Sequence, residues 1–295
     1  MASLKEVRTR ISSVASTKQI TSAMKMVAAS KLRKAQNAII AMRPYALKLK
    51  ELLENLSASL DSTEGAYSGR KEIKNVLIIV ITSNRGLCGA FNSNVIKLAN
   101  KLAYDKYKKH SVSVICIGKK GADYFKKTKL GVMGSDMPKR LYGLYDDLTF
   151  ENVAPVAEKI MGAYLDGEFD KVELVYNQFK NASVQMLTAE QFLPVLPPAS
   201  AKDKIQSYEA DYIFEPGKEE IVRELIPKSL KVQFYKALLD SYASEHGARM
   251  TAMHKATDNA TELLKDLKLS YNKARQAAIT GEILEIVGGA EALSS

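Results

Sequence analysis

Small and apolar residues recur in steps of three and four along the end of the chain. The pattern runs from Leu225 to Leu284, and the segment from Glu219 to Val287 has no proline apart from Pro227. Such steps place residues on the side of a helix that packs against another helix in a coiled coil. The pattern therefore predicts one helix of roughly 100 Å, which is too long for a compact domain of this chain length. The predicted seam comprises Leu225, Val232, Tyr235, Leu239, Tyr242, His246, Arg249, Met253, Ala256, Ala260, Leu263, Leu267, Ser270, Ala274, Ala277, Gly281 and Leu284.

The beginning of the chain repeats this pattern. Ser3 and Glu6 have the spacing of a capping box, which satisfies backbone donors at the start of a helix. We expect a helix from there to Leu56, kinked or briefly broken at Pro44 because proline lacks a backbone donor. The two helices would then pair antiparallel as one shaft, whereas the alternative is that each packs on its own globular core. The first seam comprises Leu4, Val7, Ile11, Val14, Lys18, Thr21, Lys25, Ala28, Leu32, Ala35, Ile39, Met42, Ala46, Leu49, Leu53 and Leu56.

The region between the two helices contains short apolar runs separated by helical segments. Four runs predict a mostly parallel sheet whose last strand returns after a hairpin turn. They are Val76–Ile81, Val112–Ile117, Lys171–Gln178 and Ser183–Thr188. The predicted fold class is therefore α/β, with a long antiparallel two-helix coiled coil and a small Rossmann-like domain. We expect an N-terminal coiled-coil helix at 1–60, an α/β globular domain at 71–210 and a C-terminal coiled-coil helix at 211–295.

Composition narrows the class of protein. The 295 residues are 46% hydrophobic, which is ordinary for a soluble globular chain. The chain contains no run of eighteen apolar residues, so the sequence predicts no membrane span. The charged N-terminus does not resemble a secretory signal. Cys88 and Cys116 lack the spacing of a metal or redox motif, so we expect both to be free thiols.

Positive charge is concentrated in the first helix. Residues 1–60 contain eleven lysines and arginines but only three glutamates, in a chain of net charge +10. A basic rod of this kind is compatible with binding to nucleic acid, with docking inside an acidic protein surface, or with simple solvation. Lys18, Thr21 and Lys25 make part of its seam polar, while Ile20 and Val27 lie on a rotated face together with Met24. Either the supercoil changes locally there, or this stretch touches other subunits on several sides.

The sequence lacks the motifs that would support chemistry on this chain. Residues 83–92, SNRGLCGAFN, follow a strand as a phosphate-binding loop would, but they lack the pattern GxxxxGK[ST]. The three histidines are not spaced with carboxylates or cysteines as metal ligands are, and no set of nucleophile, base and orienting residue is evident. We therefore expect no catalytic residue, no cofactor and no metal.

Three stretches resemble the gamma subunit of the F-type ATP synthase, and the resemblance covers essentially the whole chain. They are RTRISSVASTKQITSAMKMVAASKLRKAQ at 8–36, SNRGLCGAFN at 83–92, and the closing pair EHGARMTAMHKATDNA and NKARQAAITGEILEIVGGAEAL. Asn84 stands where the family often has aspartate, and Gly281 departs from the family's longer polar residue.

The resemblance implies a non-catalytic rotor shaft that transmits torque between a membrane c-ring and a catalytic head, coupling proton flow to ATP synthesis. The implied partners are the alpha and beta subunits, the epsilon subunit and the c-ring. A basic coiled-coil module that binds nucleic acid is the competing class, but the chain has no tryptophan and its second helix is nearly neutral. Because the family pattern begins within ten residues, we expect no transit peptide and a bacterial protein, peripheral on the cytoplasmic side of the inner membrane.

The resemblance also implies contact residues, position by position. Met24 and Lys25 would lie near the lever loops of the catalytic subunits, and Arg275 and Gln276 would meet the catch loop of beta. Contacts with the c-ring at the foot of the shaft would involve Arg43, Tyr45, Tyr212 and Glu215.

Overall fold

The computed structural model describes residues 4–57, 67, 72–131, 141–195 and 218–294. The first and last elements are two long helices, α1 at Leu4–Ser57 and α5 at Lys218–Ser294. A domain with four strands lies between them in the sequence. The chain forms two compact units, Met1–Ala29 with Arg249–Ser295, and Ser30–Ala248. The remaining elements are β1 (Asn75–Ile81), α2 (Phe91–Lys101) with a π-helical turn at Leu102–Lys106, β2 (Ser111–Ile117), α3 (Lys119–Phe125), a 3-10 turn at Tyr142–Tyr145, α4 (Phe150–Leu165), β3 (Lys171–Phe179) and β4 (Gln185–Leu193).

Both predicted long helices are present. Helix α1 has 54 residues and α5 has 77. Helix α1 continues through Pro44, so a break at this position is not observed. Proline removes one backbone hydrogen bond, and that loss is small beside the packing of buried residues such as Ala35 and Leu49 on either side of it. Ser3, the expected cap, lies outside the described residues.

The first seam has the predicted phase. Every seam position from Leu4 to Leu49 is buried or half-buried. The side chains of Leu53 and Leu56, the last two seam positions, lie outside the described residues. Steps of three and four therefore located the covered side of α1 correctly along most of its length.

The second seam is wrong in phase after Ala260. Leu263, Ser270, Ala277 and Leu284 are exposed, and the half-buried positions are instead Leu264, Tyr271 and Ala278, each in step with Leu267, Ala274 and Gly281. Both the predicted and the observed spacing of these positions are typical of a coiled coil. The apolar pair Leu263 and Leu264 offers either choice, and alanine and serine at later positions do not distinguish between them.

The strands form one sheet in the order β2-β1-β3-β4. Strand β1 is parallel to β2 and β3, and β4 is antiparallel to β3. These pairings confirm the mostly parallel sheet and the hairpin, although the returning strand lies at Gln185–Leu193 and so extends beyond the predicted run. Alternate residues of β1 face opposite sides, because Leu77 and Ile79 pack with α4 and α5, whereas Val76 and Ile78 pack with α2 and α3.

Gly247 in α5 allows the helix to approach the β3–β4 turn closely. A Cβ atom at this position would lie 3.0 Å from the carbonyl oxygen of Ala182 and 3.2 Å from its Cα. Both are backbone atoms and yield less readily than a side chain. At Gly281, by contrast, an added Cβ atom would have nothing within 4 Å, so glycine is not required there by packing against this chain.

These two glycines should respond oppositely to alanine. Gly281→Ala should raise the free energy of unfolding by up to about 1 kcal/mol, because alanine has the higher helix propensity. Gly247→Ala should lower the free energy of unfolding, because the steric cost of the close contact with Ala182 is larger than the gain in helix propensity. Urea unfolding of the isolated chain measures both changes. A stabilising Gly247→Ala substitution would contradict the packing described for the turn.

Candidate functional site

Helices α1 and α5 pair antiparallel within the unit of Met1–Ala29 and Arg249–Ser295. The hydroxyl oxygens of Thr21 and Thr257 lie 2.8 Å apart, and Arg8 Nη2 donates to Tyr271 Oη at 2.9 Å. The guanidinium of Arg8 also lies 5.8 Å from the centre of the Tyr271 ring. The earlier α1 residue meets the later α5 residue, so the two helices run in opposite directions.

The polar stretch of the α1 seam remains in phase. Thr21 is buried, Lys18 and Lys25 are half-buried, and the Thr21 hydroxyl also donates to the Lys18 carbonyl at 3.0 Å. Ile20 and Val27 remain 59% and 57% exposed. The basic helix therefore carries apolar side chains on its outer surface, in addition to those that it buries against α5.

A groove of about 450 Å³ lies between α1 and α5 in this unit. Small residues, Ala15, Ser22 and Ala23, keep it open, and Lys18 places a cation beside it. Met26 also lines the groove and is 66% exposed, and Leu264 contributes from α5. An unbranched thioether adapts readily to different neighbouring surfaces, so the lining of this groove is adaptable at Met26.

The predicted contact residues occupy separate places. Met24 is half-buried beside half-buried Lys25, whereas Arg275 and Gln276 are exposed. Along the helix pair, the α1 residues lie beyond the Thr21 contact and the α5 residues lie beyond the Tyr271 contact, at the opposite end of the contacts just described. The structure therefore does not bring the two pairs together into one site.

The predicted foot residues are only partly described. Arg43 and Tyr45 lie on α1 in the unit of Ser30–Ala248, and both are exposed, Tyr45 by 56%. Tyr212 and Glu215 lie outside the described residues. The exposure of the α1 pair leaves these side chains available to a partner.

Sequence reasoning missed an exposed apolar surface near the end of α5. It consists of large aliphatic residues, each roughly half or more exposed. They are Leu269, Ile279, Ile283, Leu284, Ile286 and Val287. The sequence has two pairs of adjacent apolar residues here, at 283–284 and 286–287. One seam cannot bury both members of each pair, so these pairs could have predicted the exposed apolar surface.

The loop at 83–92 uses its polar groups internally. Asn92 Oδ1 accepts from the Ser83 backbone at 2.9 Å, and Asn84 Oδ1 accepts from the Lys119 backbone at 3.1 Å. Both cysteines are free thiols, as expected. Burial raises the pKa of Cys116 to about 12, so its reactive thiolate is strongly disfavoured near neutral pH.

Metal-binding clusters and membrane-spanning helices are both absent from the described ranges. Residues 4–57, 72–131, 141–195 and 218–294 contain no group of three or more His, Cys, Asp or Glu side chains placed to hold a metal ion. Among the helices in those ranges, none is both long and apolar enough to cross a membrane.

A buried carboxylate, Asp240, lies on α5 in the unit of Ser30–Ala248. Burial raises its pKa to about 6; the positive charge of Lys236 lowers it, Glu190 raises it and Arg43 lowers it. The folded protein therefore disfavours the ionised carboxylate of Asp240 relative to its protonated form.

Glu190 itself is held by hydrogen bonds from the elements around it. Tyr176 Oη in β3 donates to one carboxylate oxygen at 2.7 Å, and Gln233 Nε2 in α5 donates to the other at 2.7 Å. Gln233 Nε2 also donates to the Gln191 carbonyl at 3.3 Å. These bonds join α5 to the sheet.

Comparison with known proteins gives consistent matches over the full chain. A family model described as ATP synthase matches residues 3–293. The ATP synthase gamma chain of Flavobacterium johnsoniae is 61% identical over 300 residues, covering 100% of both chains, and that of Chlorobium phaeobacteroides strain BS1 is 50% identical, covering 99% of both. None of these matches supports the alternative of a nucleic-acid-binding module.

Solved rotor structures share the fold. The central stalk and c-ring structure of Tetrahymena thermophila mitochondrial ATP synthase matches with TM-score 0.56 and 27% identity, covering 80% of this chain and 99% of that chain. The structure of OSCP, F1 and c-ring of Euglena gracilis mitochondrial ATP synthase in rotational state 3 matches with TM-score 0.68 and 24% identity. The match covers 98% of this chain and 94% of that chain.

Asp240 predicts a pH dependence of stability. Because its pKa is raised from 3.8 to about 6 on folding, its contribution to stability is full below pH 3.8 and is lost as pH rises through about 6. Asp240→Asn should therefore stabilise the chain above pH 7 and flatten this part of the profile. Urea unfolding at several pH values measures the difference between parent and variant. A difference that does not change between pH 4 and pH 7 would contradict the assignment.

Proposed function

The chain belongs to the ATP synthase gamma-chain family, and we infer on that premise that it is the central-stalk rotor subunit of an ATP synthase. It transmits torque between the membrane c-ring and the catalytic head, which couples ion flow to ATP synthesis. The observation that carries this function is the antiparallel pairing of α1 and α5 through Thr21–Thr257 and Arg8–Tyr271. A paired shaft resists bending and twisting better than one helix does.

We propose that the head surrounds the unit of Met1–Ala29 and Arg249–Ser295 with alpha and beta subunits. Two features support this: exposed aliphatic residues such as Ile20 and Ile286, which a sleeve would cover, and the excess of basic residues in α1. Met24 and Lys25 would meet acidic lever loops of the catalytic subunits. Complementary charge would guide this contact, and apolar contacts would let the shaft move past successive subunits.

The shaft would act through asymmetry and perform no bond chemistry itself. One shaft inside a threefold ring makes different contacts with each catalytic subunit, so it biases each subunit toward a different state. ATP would be made and hydrolysed by residues of the beta subunits. On this proposal the chain is a non-catalytic part of the enzyme and has no cofactor of its own.

The foot would join the shaft to the c-ring and the epsilon subunit. Arg43 and Tyr45 are exposed on α1 and are suited to polar and aromatic contacts, and Tyr212 and Glu215 complete the proposed set. Of the segments 1–60, 71–210 and 211–295, the first and last would form the shaft and carry these four residues near its foot, and the middle one would be the α/β domain. The protein would then be peripheral on the cytoplasmic side of a bacterial inner membrane.

Arg275 and Gln276 provide a test of the contact with the head. An exposed guanidinium binds a carboxylate through charge-assisted hydrogen bonds, and an amide both donates and accepts. Each bond to a charged acceptor contributes roughly 1.5 to 3 kcal/mol. Arg275→Ala with Gln276→Ala should therefore lower ATP hydrolysis and proton pumping of the reconstituted complex, while assembly remains intact.

The control for this double variant is Lys265→Ala with Lys268→Ala, which alters two exposed α5 residues. It should leave turnover close to that of the parent. Subunit composition after purification reports assembly separately from activity. Equal turnover of parent and both double variants would remove Arg275 and Gln276 from the proposed contact.

A further inference from the structure

A second concentration of positive charge lies in the middle domain, away from the basic α1 helix in sequence. Between residues 97 and 129 the chain has ten lysines, two aspartates and no arginine. All ten lysines are exposed. They are Lys97, Lys101, Lys106, Lys108, Lys109, Lys119, Lys120, Lys126, Lys127 and Lys129.

We call seven exposed residues on and next to α2 and α3 the α2–α3 face; the carboxylates of Asp105 and Asp123 are exposed beside them in sequence. Helices α2 and α3 cover the side of the sheet opposite α4 and α5, because Val95, Ala99 and Phe125 pack with the even-numbered residues of β1. Asn100 Nδ2 donates to Tyr124 Oη at 2.9 Å and so joins the two helices at the surface. The face comprises Lys97, Lys101, Tyr104, Lys108, Lys120, Tyr124 and Lys127.

Two exposed tyrosines lie among these lysines in the sequence. Tyr104 is 56% exposed between Lys101 and Lys108, and Tyr124 is 43% exposed between Lys120 and Lys127. Tyrosine is favoured where one end of a side chain meets an apolar layer and the other meets water, and lysine extends its charge to such a boundary. The combination matches the chemistry of a membrane surface.

We propose that the α2–α3 face binds the anionic headgroups of a lipid bilayer. The lysines would lie over the headgroup phosphates, and the rings of Tyr104 and Tyr124 would enter the headgroup layer. Polybasic segments are attracted to anionic leaflets by additive contributions from individual lysines. The attraction falls off within a Debye length, which is about 8 Å at physiological ionic strength.

Lysine in place of arginine favours a lipid surface over other anionic partners. Protein interfaces are depleted in lysine and enriched in arginine, and base recognition in DNA relies on bidentate arginine. The α2–α3 face has no arginine. Its compact, strongly hydrated ammonium groups suit a diffuse layer of phosphates better than a fixed set of carboxylates.

This inference rests on the proposed function for its location, because a rotor attached to a c-ring works beside the membrane. Its charge argument is independent of torque transmission. The two can therefore fail separately: lipid binding tests the α2–α3 face, and ATP hydrolysis by the assembled complex tests the shaft.

The test is co-sedimentation of the full chain with vesicles of phosphatidylcholine, with and without phosphatidylglycerol. We expect binding only to the anionic vesicles, weakening as salt is added. Replacement of Lys101, Lys108, Lys120 and Lys127 by glutamine should weaken that binding by about tenfold or more. The charge-matched control replaces Lys31, Lys34, Lys265 and Lys268 by glutamine. These lysines are exposed on α1 and α5, outside the α2–α3 face, so the control should retain most of the vesicle binding.

Tyr104→Ser separates lipid insertion from charge attraction, since it leaves net charge unchanged. It should weaken vesicle binding without affecting capture of a DNA duplex at the same ionic strength. Equal loss in the two lysine variants, no binding of the parent to anionic vesicles, or binding of DNA with the same lysine dependence would each overturn the proposal. Unchanged ATP hydrolysis by the assembled α2–α3 variant would confirm that the shaft is intact.

Discussion

The packing of α1 against α5 is the contact on which the rest of the structure depends. Helices of 54 and 77 residues each carry an apolar stripe that must be covered to remain stable in water. Pairing covers part of both stripes in the unit of Met1–Ala29 and Arg249–Ser295, whereas α5 packs on the sheet in the unit of Ser30–Ala248. The sheet is built from the chain between the two helices, and it buries one side under α4 and α5 and the other under α2 and α3.

Directional bonds within this pairing fix which residues meet, while the remaining surface is left for partners. Thr21 is buried and its hydroxyl contacts that of Thr257, so the polar stretch of the seam costs little. Ile20 and Ile286 stay exposed even though both helices are paired. The paired helices are therefore matched internally and still carry exposed aliphatic residues among their charged ones.

The sequence predicted the α1 seam because large apolar residues such as Leu32 and Leu49 alternate clearly with charged ones. It misplaced the α5 seam because Leu263 and Leu264 fit either phase. The raised pKa of Asp240 was beyond prediction, since it results first from burial and then from the charge of Glu190, and both depend on α5 packing on the sheet. Arg275 is exposed, so the sequence of this chain alone does not determine what its side chain contacts.

Helices α1 and α5 should turn together where they pair, in the unit of Met1–Ala29 and Arg249–Ser295. Thr21→Cys with Thr257→Cys, in a chain whose Cys88 and Cys116 are replaced by serine, would place two thiols where hydroxyl oxygens lie 2.8 Å apart. Oxidation should then link the helices covalently. We expect the oxidised reconstituted complex to retain ATP hydrolysis and proton pumping, because the link joins two helices that turn together. Loss of both activities on oxidation, with recovery on reduction, would contradict it.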